Sequence, residues 1–246
     1  MRTPYRLALL LSLVACSGTD VGNPPRGGIT DFNTTACKRA DSDKGLEPLP
    51  TWQPDPEVYR GLTCVLWETE GDVLRVRLTN HEAGCHENEG WKPRAELDDS
   101  RVDLILDNPK CVAAGCGNCI YDVAFDVRLG PAQRDAAALS LRILGDDCSG
   151  EAPVHHTLEL AGAARSSGAR CSYTYEHGYD AFDHGSVGQL NSSCGMLDEP
   201  QPVACERGVC TPINDRNSLC LAACTTDADC QPAGLMACVD GVCRLR

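Results

Sequence analysis

Seventeen of the chain's 246 residues are cysteine, and seventeen is an odd number. In an exported chain such a density means a framework of disulfides, which decides how the loops can be tied and what the unfolded chain can sample. One sulfur is left without an intrachain partner. Its place is suggested by the start of the chain, where Arg2 and Arg6, with no acid near them, precede the apolar run LALLLSLVA at residues 7–15. A basic start and a short apolar run make an export signal. Nine apolar residues are too few for a membrane-spanning helix, which needs about 20. Cys16 follows directly.

The run closes as Leu13-Val14-Ala15-Cys16. This resembles the lipobox of bacterial lipoproteins: an aliphatic residue three before the cysteine, a small residue just before it, then the cysteine. The resemblance implies removal of residues 1–15, a diacylglyceryl group on the Cys16 sulfur and a new amine open to acylation. Each buried methylene contributes about 0.8 kcal/mol, so two or three acyl chains on one residue hold a soluble domain at a membrane where one would not. Ser17 stands where an aspartate would favour inner-membrane retention, which points to the outer membrane. The implied partner is the membrane, through the N-terminal lipid. The alternative is an ordinary secreted protein cut elsewhere, but no other small-x-small site fits the run as well.

With Cys16 set aside, 16 cysteines remain in two groups of eight. The first is Cys37, Cys64, Cys85, Cys111, Cys116, Cys119, Cys148 and Cys171. The second is Cys194, Cys205, Cys210, Cys220, Cys224, Cys230, Cys238 and Cys243. Pairing is expected to stay within each group, while the connectivity is open.

The formal charge is −13, and loss of the signal leaves 20 basic against 35 acidic residues. Such a surface repels phosphate, which argues against nucleic acid as a partner. It equally disfavours flat contact with anionic lipid heads.

Proline-rich chain, including PLPTWQPDP at residues 48–56, gives residues 16–57 the character of a lipidated tether. Residues 58–178 alternate apolar and polar positions. Cys64 to Thr69 and Val73 to Thr79 flank Glu70-Gly71-Asp72 as a hairpin. Leu74, Val76 and Leu78 share one face, with Arg75 and Arg77 on the other. In residues 119–129 every odd position is apolar: Cys119, Tyr121, Val123, Phe125, Val127 and Leu129. Further strands are expected at Val102 to Leu106, Leu139 to Leu144, Thr157 to Leu160 and Ala169 to Glu176, and a helical turn at the start of AQRDAAALSL, 132–141. About seven short strands with little helix predict a mainly β fold, an antiparallel β-sandwich, for which an immunoglobulin-like order is one topology that the strand number fits.

Residues 179–204 are expected to be a loop. Residues 205–246 form a small cysteine-rich knob with the spacing C-x4-C-x9-C-x3-C-x5-C-x7-C-x4-C and an internal echo, CERGVC at 205–210 and CVDGVC at 238–243. So small a module needs disulfides to fold. Residues 224–243 resemble cysteine-rich modules of surface proteins, including C-x2-D-x-D-C runs of the whey-acidic type. The adjacent Cys-Cys of that family is missing, so no inhibitor role follows.

Chemical motifs are sparse. His81, Cys85 and His86 offer a local set of metal ligands, provided that Cys85 is not oxidised; His155-His156 form a second histidine pair. Cys116-Gly117-Asn118-Cys119 has redox spacing but runs into a strand rather than opening a helix. Asp180 and Asp183, or Asp227 and Asp229, lack the ligand spacing of a calcium loop. HGSVG at 184–188 misses the first glycine of a nucleophile elbow. No cofactor fingerprint occurs. The sequence therefore favours a non-catalytic envelope lipoprotein that presents a binding or structural domain to an envelope protein or glycan. An extracytoplasmic hydrolase, or a metal or redox protein on the same sandwich, is the alternative.

Overall fold

The structure, a computed structural model, describes residues 28–35, 61–84, 92–107, 118–145, 154–173, 193–196, 204–214 and 217–246. Two sheets face each other. The first holds, in spatial order, β1 (Ile29–Thr34), β6 (Asn118–Arg128), β3 (Val73–Gly84), β2 (Leu62–Glu70) and β9 (Ser167–Tyr173), all antiparallel. The second holds β4 (Lys92–Asp98), β5 (Arg101–Asp107), β7 (Ala138–Gly145) and β8 (Val154–Ala161). One short helix, α1 (Pro131–Asp135), starts on Pro131, where the missing N–H costs nothing and φ is preset.

Alternation builds the core as the sequence suggests. Leu74, Val76 and Leu78 of β3 and Tyr121, Val123, Phe125 and Val127 of β6 are buried in one cluster with Val102, Leu104 and Leu106 of β5, Leu139, Leu141 and Ile143 of β7, and Leu158 and Leu160 of β8. Each such side chain contributes about 1.5–3 kcal/mol on burial. The fold is a mainly β sandwich. The β2–β3 hairpin turns at Gly71, whose φ of 62° a glycine adopts without strain.

Four features differ from expectation. The central β5–β7 pair is parallel, because the chain leaves the second sheet after β5, passes through β6 of the first and returns. That mixed sheet is not the all-antiparallel immunoglobulin arrangement. Part of the expected tether is a strand: β1 lies on the edge of the first sheet, and Phe32 packs on Phe125 with ring centroids 5.2 Å apart. A bulge between Ile29 and Asp31 spaces its two apolar residues three apart and hides the period-two pattern. The edge strand β4 is not among the expected strands: it alternates Lys92, Arg94, Glu96 and Asp98 with Pro93, Ala95 and Leu97, but its apolar face is a proline, a small residue and one leucine, a weak strand signal.

The fourth concerns the C-terminal region. Its sheet begins within the expected loop, at β10 (Ser193–Met196), which pairs with β12 (Asn217–Leu221), itself paired with β11 (Val209–Pro212). A hairpin of β13 (Met236–Val239) and β14 (Val242–Leu245) follows. The disulfides are Cys194–Cys210, Cys205–Cys220, Cys224–Cys238 and Cys230–Cys243. Each run of four cysteines is tied first to third and second to fourth, although the CERGVC and CVDGVC echo falls on different positions of the two runs. This region is no projecting knob. Leu219, Leu221, Val242 and Leu245 pack with Leu62, Cys64, Leu66, Cys171 and Tyr173 on the outer face of β2 and β9. The Leu245 N–H donates to the Tyr173 hydroxyl at 3.1 Å.

Candidate functional site

The rest of the outer face of the first sheet is a charged groove of about 510 Å3, lined by Trp67, Glu68, Arg75, Arg77, Asp126 and Ser167 among others. Strand register assembles it: Arg75 stands opposite Asp126, and Glu68 opposite both Arg75 and Ser167. Arg77 is buried on this polar face. Its Nη2 faces Asp126 Oδ1 at 2.7 Å, an ion pair without aligned hydrogen-bond geometry, and its Nη1 donates to the carbonyls of Phe125 at 2.7 Å and Val76 at 3.0 Å. Arg75 is more open and reaches Glu70 at 2.7 Å and Asp126 at 3.6 Å. The hydrogen bond and charge of Glu70 raise the Arg75 pKa above its ordinary value. Trp67, next to Glu68 along β2, points to the other face and packs against the sandwich core. Its indole N–H donates to the Ala164 carbonyl at 2.7 Å, and its ring lies over Gly168, where any Cβ would collide with it.

The groove therefore offers guanidinium donors and carboxylate acceptors. Among the described residues lining it there is no histidine or thiol beside Ser167 to serve as its base, so a nucleophile–base pair of the hydrolytic kind is not assembled there.

Of the sequence-predicted metal ligands His81, Cys85 and His86, only His81 is among the described residues. Cys85 and His86 lie outside the described residues, as do Cys16, Cys116, Asp180, Asp183 and HGSVG; of Cys119 only the strand position is described. His81 is described, and it is buried, with 3% of its surface exposed. Its imidazole meets that of His155 edge to face, centroids 5.2 Å apart. Burial, then the neighbouring His155 and His156, push its pKa down to about 3. The sequence had kept His155-His156 apart from His81, and only the pairing of the two sheets brings them together.

Asp227 and Asp229 do not converge as a cation site. Asp229 Oδ2 accepts from the backbone N–H groups of Thr225 at 2.8 Å and Thr226 at 2.9 Å, and from the Thr225 hydroxyl. Those donors hold its carboxyl down at about 2. Asp227 accepts from the Cys238 N–H and pairs with Arg246. Both carboxylates are committed to the turn before β13.

From the first group, Cys64–Cys171 is the disulfide among the described residues; the other six cysteines have no described side chain. Ten cysteines are thus seen in five bridges. Disulfides at this density mark an oxidising, extracytoplasmic compartment. Among the described residues no helix is long and apolar enough to cross a membrane.

Fold and site together define a disulfide-braced β-sandwich with a docked cysteine-rich C-terminal region. No family model matches the chain, and no curated protein or solved structure matches it either.

Proposed function

We propose that the chain is a non-catalytic lipoprotein of the bacterial envelope, held at the outer membrane by acyl chains on Cys16, with the sandwich offering its charged groove to a polar envelope ligand. The supporting observation is the cysteine arithmetic. All ten cysteines with described side chains are oxidised in pairs, and Cys16, directly behind the LVA run, leaves the remaining total even. A thioether-linked lipid accounts for that odd sulfur and for retention of an acidic protein at a surface that its charge does not favour. Paired guanidinium and carboxylate groups around the groove suit recognition through directed hydrogen bonds more than burial of apolar surface.

The test is fractionation of cells that make the natural chain or Cys16→Ala. The natural chain is expected in the membrane fraction and to move to the detergent phase, with the variant losing both properties. Equal partitioning of the two would remove the anchor from this reading.

A further inference from the structure

The chain enters the sandwich at one pole, where the tight turns of both sheets are gathered. β1 follows Gly28, whose carbonyl accepts from the Arg128 N–H at 2.6 Å. That glycine is held from two sides. A Cβ on it would stand 2.9 Å from the Arg128 carbonyl oxygen and 3.1 Å from a Leu97 methyl of the facing sheet. Register carries this level across the first sheet. Arg128 pairs with Val73, and the Leu129 N–H donates to the Asp72 carbonyl at 2.7 Å, in the β2–β3 turn. The Thr69 N–H donates to Ser166, just past the turn Gly162–Arg165. In the second sheet the Ser100 carbonyl, between β4 and β5, accepts from Ser140. Arg165 donates to the Gln133 carbonyl and so ties α1 to the same pole. Leu62, which starts β2, and His81 lie at the opposite pole.

Residues 17–27 separate Cys16 from Gly28. Those twelve steps reach at most about 43 Å when fully extended, and about 20 Å as a flexible coil. β3 has 12 residues, which at about 3.3 Å per residue makes the sandwich about 40 Å long. To bring the far pole to a bilayer, the linker would have to run the length of the body fully stretched. Held by the near pole, it keeps its coil entropy.

The near pole also suits a headgroup layer. Arg128 faces Asp72 at 3.5 Å and Arg101 faces Asp98 at 3.1 Å, while Arg134 and Asp135 adjoin each other on α1. Charges here come in pairs, whereas the chain without its signal has 35 acidic against 20 basic residues. Among the described residues the exposed large apolar side chains are Val154, Val209 and Val239, at the far pole and in the C-terminal region. The near pole can therefore rest among polar heads without inserting.

We infer that the lipid on Cys16 holds the sandwich by this pole, with the β2–β3 turn, the β4–β5 turn and α1 against the polar headgroup layer of the bilayer. This placement rests on Cys16 as the lipidated residue and adds which surface meets the membrane. Glu68, Arg75 and Asp126 of the groove are level with Asp31, close to the entry of the chain. The groove thus meets its ligand near the bilayer. The C-terminal region, packed on Leu62, Cys64 and Tyr173, is turned outward.

The test uses full-length lipidated protein in vesicles of phosphatidylethanolamine and phosphatidylglycerol, with an acceptor dye on some headgroups. A donor dye is attached through a ketone-bearing amino acid in place of Ser100 or Ala137 at the near pole, or of Val154 at the far pole, all exposed. No new thiol is introduced. Each labelled protein is expected to float with the vesicles, with at least about twofold more energy transfer from the two near-pole sites than from Val154. Insertion of about 40 Gly/Ser residues between Thr19 and Asp20 is expected to bring the three values together, because the coil then spans the body. Floating protein with equal transfer, or with more from Val154, contradicts the placement and leaves the anchor standing. So does a near-pole excess that survives the long linker. Protein that does not float removes the anchor and the placement with it.

Discussion

The His81 imidazole on β3 stands edge-on to that of His155 on β8, 5.2 Å between centroids, and so joins the two sheets of the sandwich through side chains that the sequence keeps 74 positions apart. Its burial has a consequence for acid stability. With a pKa near 3 when folded and about 6.5 when unfolded, His81 is neutral in both states above pH 6.5 and contributes no pH dependence there. Between pH 6.5 and 3 the unfolded chain takes up the proton first, so stability falls as pH falls, by up to about 1.4 kcal/mol per pH unit. Urea unfolding at about pH 7 and about pH 4.5 checks this, and His81→Leu is expected to flatten the slope. An equal slope in the variant would assign the acid sensitivity elsewhere.

The Cys64–Cys171 bridge joins directly paired positions of β2 and β9 across a sequence separation of 107. Closing so long a loop removes much unfolded-state entropy, and both residues lie in the cluster that receives the C-terminal region. Replacing both by Ala is expected to lower unfolding free energy by about 2–5 kcal/mol and to speed amide exchange in β14. Native protection in β14 after the substitution would show that the C-terminal region does not depend on this contact.

Arg77 is buried beside Asp126. Asp126→Ala leaves that guanidinium without its counter-charge and is expected to cost about 3–5 kcal/mol. Arg77→Leu with Asp126→Leu is expected to recover most of the loss, since the desolvated charges leave together. A double-mutant cycle measured by urea denaturation gives the coupling directly; additive effects would contradict the pairing.

Gly168 accepts the Trp67 ring over its backbone. Gly168→Ala is expected to push the indole off the Ala164 carbonyl, to redden tryptophan emission and to cost about 1–3 kcal/mol. An unchanged spectrum would mean that β9 yields without moving Trp67.

The parts of this fold legible in the sequence are those where alternation runs unbroken. β6 shows its whole inner face as odd positions, and the β2–β3 hairpin shows both its strands and its glycine turn. Bulges hid part of the rest. One masks β1 by spacing Ile29 and Phe32 three apart, and another moves His81 from the outer to the inner face. The latter is why nothing in the local pattern shows that His81 meets His155 of β8. The parallel β5–β7 pair and the docking of the C-terminal region are tertiary choices with no local signal. The repeated first-to-third, second-to-fourth pairing had no local signal, since the CERGVC and CVDGVC echo falls on different positions of the two runs.

The most direct measurement is mass spectrometry of protein extracted from native membranes, alkylated without reduction and digested. The account predicts an N-terminal peptide that begins at Cys16 and carries acyl mass, with every other cysteine unalkylated. An unmodified Cys16 still preceded by its signal, or alkylation spread over the remaining cysteines, would contradict it.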